Sequence, residues 1–141
     1  MKLAGDFSFR FMVGKSVLFI LLGLASQIAW SGNVEIRFVD LTRTGDTWQA
    51  AVTLAHADTG WNHYADGWRL VTVDGKVLGH RTLWHPHVDE QPFTRQLSDI
   101  KIPANIKTIV VEAHDTVHGW SPDKVKIDLG QSEGKRYRVN H

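Results

Sequence analysis

Val34-Glu-Ile-Arg-Phe-Val-Asp-Leu41, then a turn at Thr44-Gly-Asp46, then Trp48-Gln-Ala-Ala-Val-Thr-Leu54: these residues decide the fold class. Apolar and polar side chains alternate with period two on both sides of the turn. Successive side chains of a strand point to opposite faces, so each run offers one apolar face and one wet face. A helix would need an apolar residue every three to four positions. No later segment carries such a stripe over a useful length.

The same pattern repeats downstream. Trp68 to Val73 reads as a third strand and Val77 to Trp84 as a fourth, joined through Asp74-Gly75, a strong hairpin signal. Phe93 to Ile102 reads as a fifth strand, turned by Pro103-Ala-Asn105, and Thr108 to His114 as a sixth. After a loop from Asp115 to Asp123, Lys124 to Leu129 is a short last strand. The reading is all-β: a single seven-stranded antiparallel sandwich of immunoglobulin-like or fibronectin-III-like architecture over residues 32–130. A small open barrel is the alternative. Residues 131–141 are polar and read as a flexible tail.

The N-terminal part reads as an export signal. Lys2, Arg10 and Lys15 precede the apolar run Ser16-Val-Leu-Phe-Ile-Leu-Leu-Gly-Leu-Ala-Ser-Gln-Ile-Ala29. A comfortable membrane-spanning helix needs about 20 apolar residues, more than this run offers. Gly23-Leu-Ala25 and Ala29-Trp-Ser31 both fit the small-x-small cleavage pattern. Residues 1–31 are therefore expected to form a signal helix cleaved near residues 25–31, with a mature start near Ser31 to Asn33. An uncleaved anchor is the alternative. The setting implied is periplasmic or secreted.

Composition removes several classes of function. The formal net charge is +1, so no strong field or basic stripe recruits nucleic acid. There is no cysteine, hence no disulfide, no thiolate ligand and no lipid-bearing cysteine. Both methionines, Met1 and Met12, precede the expected mature start, so the mature domain holds no sulfur.

The chain has eight histidines, and their placement is informative. Connections in an antiparallel meander alternate between the two ends of the sandwich. On that count His56, His63, His85, His87, His114 and His118 all fall in or beside loops at one end. Only His80, in mid-strand, and His141, in the tail, do not. Neutral imidazole is the commonest metal ligand in proteins. His85-Pro-His87 sets two imidazoles two residues apart, on one side of an extended backbone. The expected metal ligands are His63, His85, His87, His114 and His118, not all at once. His56, Asp66, Asp89, Glu90 and Asp115 would support them or ligate directly. A site without sulfur suits Zn²⁺ or Cu²⁺ better than Cu(I). The function expected is divalent-metal buffering, delivery or sensing, with a periplasmic or membrane transport partner open.

Two other readings use the same loops. Trp61, Trp84 and Trp120 could form a platform for a non-metal ligand or a partner protein. The histidines could instead order the loops of a structural accessory domain by hydrogen bonding. No nucleophile elbow, His-Glu-x-x-His pair, phosphate loop or dinucleotide fingerprint occurs, so an enzyme is not expected, although a catalytic metal with an open position fits the same residues.

The stretches Trp84-His-Pro-His-Val-Asp-Glu-Gln-Pro-Phe-Thr-Arg95, Glu112-Ala-His-Asp-Thr-Val-His-Gly119 and His63-Tyr-Ala-Asp-Gly-Trp68 resemble an uncharacterised family of small exported bacterial β-sandwich proteins. That resemblance implies a secreted or periplasmic setting. It transfers no catalytic residue.

Overall fold

The computed structural model describes residues 32–141, so the expected signal helix lies outside the described residues. Among the described residues nine strands form two sheets: β1 (Glu35–Thr44), β2 (Thr47–Ala55), β3 (Ala65–Thr72), β4 (Val77–Thr82), β5 (Phe93–Ile100), β6 (Thr108–Asp115), β7 (Gly119–Asp128), β8 (Glu133–Gly134) and β9 (Tyr137–Asn140). One sheet runs β5-β2-β1-β9-β8 and the other β4-β3-β6-β7. Their inward faces share one apolar core, in which Trp68, Leu70, Ile109 and Val111 of one sheet meet Ile36, Leu41, Leu54 and Phe93 of the other. Fully burying one such side chain contributes about 1.5–3 kcal/mol.

The strand count corrects the expected seven. Tyr137 to Asn140 pairs with β1 in parallel, Val39 opposite Tyr137 and Leu41 opposite Val139, and Val139 is buried. So the sheet is not wholly antiparallel, and residues 131–141 carry two strands rather than a frayed tail. The polar composition hid one inward side chain, Val139, whose neighbours Arg138 and Asn140 reach back to Asp40. The last long strand also begins earlier than expected, at Gly119, because Trp120 pairs with His114 and Gly119 with Asp115.

The inward rows explain how the site is built. On β2, Trp48, Ala50, Val52 and Leu54 point inward, and the next residue of that row is His56. On β6 the row Ile109, Val111 and Ala113 continues to Asp115. At the start of β1 Ile36 is buried, Val34 just before the strand is buried two residues earlier, and Gly32 extends that spacing. These three strands have their relevant ends at the same end of the molecule, since Glu35 is opposite Ala55 and β6 ends at Asp115 opposite Ala65. Each apolar row therefore ends on a residue that can carry chemistry or let a backbone approach.

Candidate functional site

His56 and Asp115 face each other across the end of the core, from different sheets. Asp115 is fully buried. Its Oδ1 accepts the backbone N–H groups of Val117 at 2.9 Å and His118 at 2.7 Å, an Asx-type turn that shapes the β6–β7 loop. The ring Nδ1 of His118 is 3.1 Å from the same oxygen. Burial pushes the Asp115 carboxyl pKa up, but these hydrogen bonds outweigh it and hold the carboxyl below its ordinary value. Asp115 Oδ2 is buried and has no hydrogen-bond partner.

His63 enters from the β2–β3 loop. A tight turn places it: the His63 N–H donates to Gly60 O at 3.1 Å, and the Thr59 N–H donates to His63 O at 3.0 Å. Gly60 sits at φ +140°, a conformation that favours glycine. The His63 Nε2 lies 3.3 Å from Asp115 Oδ1 but without the alignment of a hydrogen bond, so this buried nitrogen is left unpartnered. The His63 ring centroid is 4.8 Å from that of His56 and 5.0 Å from that of His118.

His56, His63 and Asp115 each present one ligand atom, and all three atoms lie within 4.8 Å of one another. Ligands at the roughly 2.0–2.2 Å of a tetrahedral zinc site sit about 3.4 Å apart. The cluster would contract by about 1 Å around an ion, within reach of side-chain rotation. Two buried orphan atoms on neighbouring residues are uncommon, because an unmade hydrogen bond costs about 1–3 kcal/mol. A cation among these atoms would satisfy both.

Asp58 holds the cluster from behind, and sequence reasoning missed it. Its Oδ1 is 2.5 Å from His56 Nδ1 and accepts the Ala65 N–H at 3.0 Å; its Oδ2 accepts the His87 N–H at 2.7 Å. The available signal was the spacing His56-Ala-Asp58, which puts both side chains on one side of extended backbone. Gln91 makes a second tie, accepting the His56 N–H at 3.0 Å and donating to His87 O at 3.1 Å.

The other expected ligands land elsewhere. His85 and His87 pair with centroids 4.6 Å apart on the β4–β5 loop. His87 is buried and stacks on Phe93, centroids 3.9 Å apart and planes within 8°. Neither of its ring nitrogens has a partner, and Nδ1 is 3.9 Å from Asp58 Oδ2. Burial, then the Arg95 guanidinium and the neighbouring His85 ring, lowers the His87 pKa. Glu90 is occupied by Arg95 through contacts of 2.9 and 3.2 Å, and Asp89 is exposed. His114 is on a different face: its Nδ1 is 2.6 Å from Asp66 Oδ1 and its ring meets Trp120 edge-on at 4.9 Å. Trp120 in turn lies under Arg69, which pairs with Glu112 at 2.8 Å. Trp61 and Trp84 are exposed, at 69% and 76%. With His85, Trp61 lines an open recess of about 540 Å³ beside the β4–β5 loop.

No family model matches the chain. A protein of Halomicrobium mukohataei named "Putative lipoprotein" is 37% identical over 97 residues, covering 67% of this chain and 47% of that protein. The chain thus spans about half the length of the curated relative it matches. A hypothetical protein of Pyrococcus horikoshii OT3 has a solved structure similar to this one at a TM-score of 0.45, with 15% identity, over 70% of this chain and 92% of that one. The superoxide reductase (1Fe-SOR) of Giardia intestinalis is similar at a TM-score of 0.41, with 18% identity, over 67% of this chain and 99% of that one.

Proposed function

We propose that this chain is an exported metal-binding protein that holds one Zn²⁺ or Cu²⁺ ion through His63, His118, Asp115 and His56. The observation that carries the reading is the pair of buried, unpartnered atoms, His63 Nε2 and Asp115 Oδ2, inside a cluster of imidazoles. With Asp58 taking the Nδ1–H of His56, the ring would present Nε2 as the ligand nitrogen. Imidazole and carboxylate donors without sulfur suit Zn²⁺ and Cu²⁺. His85 and His87 stand outside this set, and a weaker second ion position there would account for the free nitrogens of His87.

Export is supported by the charged-then-apolar leader and by the relative's name as a lipoprotein. No recognised catalytic motif accompanies the cluster, so the role favoured is buffering, delivery or sensing of the metal rather than catalysis. The test is a zinc and copper titration against a chromophoric chelator, comparing the wild type with the His63→Ala, His118→Ala double variant. Stoichiometric binding that disappears in a folded double variant supports the site. Binding retained in that variant moves the site elsewhere, with His85→Ala, His87→Ala as the next comparison.

A further inference from the structure

Gly32 lies against the rim of the cluster. Its carbonyl oxygen is 3.1 Å from His56 Nε2. A side-chain carbon at this position would overlap the His118 ring, lying 2.6 Å from its Nε2, and the residue's φ is +121°. Before cleavage space and backbone conformation both require glycine here, and once Gly32 begins the chain the space requirement alone remains. The main chain consequently comes nearer the imidazoles than any larger residue would permit. The Gly32 nitrogen is within about 5 Å of His118 Nε2.

The sequence marks the same residue for a different reason. Of the two stretches that match the small-x-small pattern of signal cleavage, Gly23-Leu-Ala25 and Ala29-Trp-Ser31, the second would cut between Ser31 and Gly32. Packing singles out Gly32, and one of the two cleavage patterns would make the same residue the first of the processed chain.

We propose that removal of the leader turns Gly32 into a metal ligand, so that the metal site is completed by export. Hydrolysis of the Ser31–Gly32 bond gives the water oxygen to the Ser31 carboxyl group and a hydrogen to the Gly32 nitrogen. The nitrogen then changes from an amide, whose lone pair is delocalised, to an amine with a lone pair free to bind a cation. The amine and the Gly32 carbonyl oxygen can close a five-membered ring around one ion, with its remaining positions filled from among His56, His63, His118 and Asp115. The processed protein binds metal tightly and the precursor weakly, which keeps the chain from loading before export. This inference rests on the reading of the cluster as a metal centre.

The test compares two proteins that share the whole described domain: one beginning at Gly32 with a free amine, and one with Ser31 retained in front of it. Each is titrated with Zn²⁺ and with Cu²⁺ against a chromophoric chelator, and folding is checked by thermal melting. The expected result is an affinity at least about tenfold lower for the longer protein, with unchanged melting of the metal-free forms. A Gly32→Ala variant with a free amine should also bind more weakly, because its methyl group displaces the His118 ring. Equal affinities for the two lengths overturn the terminal ligand and leave the histidine cluster standing; absence of binding in both overturns the two together. N-terminal sequencing of the exported protein should read Gly32 first, and any other first residue overturns the inference.

Discussion

Asp58 and His56, two residues apart, form a pair inside the molecule in which Asp58 Oδ1 lies 2.5 Å from His56 Nδ1 and both side chains are almost wholly shielded from water. The carboxylate does three jobs at once. It orients the imidazole, and its two oxygens also receive the backbone N–H groups of Ala65 and His87. The end of β2, the start of β3 and the β4–β5 loop are therefore tied to one residue.

Removing Asp58 should be expensive. Asp58→Ala leaves the buried Nδ1 of His56 and two backbone N–H groups without partners, and the expected loss is about 3 kcal/mol or more in urea unfolding. Asp58→Asn keeps the shape and one acceptor, so its expected loss is smaller. Its metal affinity should fall about 10–100-fold, as for other groups that orient a ligand imidazole. An Asp58→Ala variant as stable as the wild type would show that the pair does not organise the loops.

His63 should behave in the opposite way. Its Nε2 makes no hydrogen bond to any other group of the described chain. His63→Ala should therefore change metal-free stability by no more than about 1 kcal/mol while lowering zinc affinity by at least about 100-fold. Asp115→Ala should instead lose both metal and stability, since Asp115 also holds the Val117 and His118 N–H groups. Calorimetric titration alongside thermal melting separates the two outcomes, and unchanged affinity in His63→Ala would contradict the ligand assignment.

His87 gives the fold a pH dependence. Burial, followed by Arg95 and His85, lowers its pKa in the folded protein below the ordinary 6.5. The unfolded chain then takes up a proton that the folded chain refuses. Stability from this group is complete above the unfolded pKa and is lost as pH falls through the lower folded one. His87→Leu keeps an apolar group against Phe93 and removes the proton. Measured without metal from about pH 7.5 to 5, the wild type should lose stability relative to this variant as pH falls. Parallel curves would contradict the burial argument.

Trp61 and Trp84 test the reading of the loops as a platform for a non-metal ligand. Both are largely exposed. Trp61→Ser and Trp84→Ser should each change stability by less than about 0.5 kcal/mol and leave metal affinity unchanged. Loss of metal binding in either would place the ion in the open recess beside the β4–β5 loop rather than at His63 and Asp115.

Much of the arrangement follows from strand parity alone. By alternation alone the inward row Trp48, Ala50, Val52 and Leu54 points to His56, and Ile109, Val111 and Ala113 point to Asp115. Alternating connections place the histidine loops at one end, but not at one point. Which of them converge depends on how the two sheets pack and on local turns such as Gly60 to His63, and neither is encoded in periodicity. That is why His85 and His87, two residues apart, pair with each other, and His114 turns to Asp66. The C-terminal strands were illegible for a related reason. Val139 is a single buried side chain among polar neighbours, and one inward residue makes no pattern. Gly32 read only as a cleavage neighbour, because a glycine's role as a site of close approach shows only once His118 is beside it.

The most direct measurement is the metal content of untagged protein exported to the periplasm and purified without chelators, read by mass spectrometry beside the His63→Ala, His118→Ala variant. The account predicts about one Zn or Cu ion per wild-type chain and almost none in the folded variant. A wild-type protein that arrives without metal and fails to take up Zn²⁺ or Cu²⁺ at micromolar concentrations would contradict it.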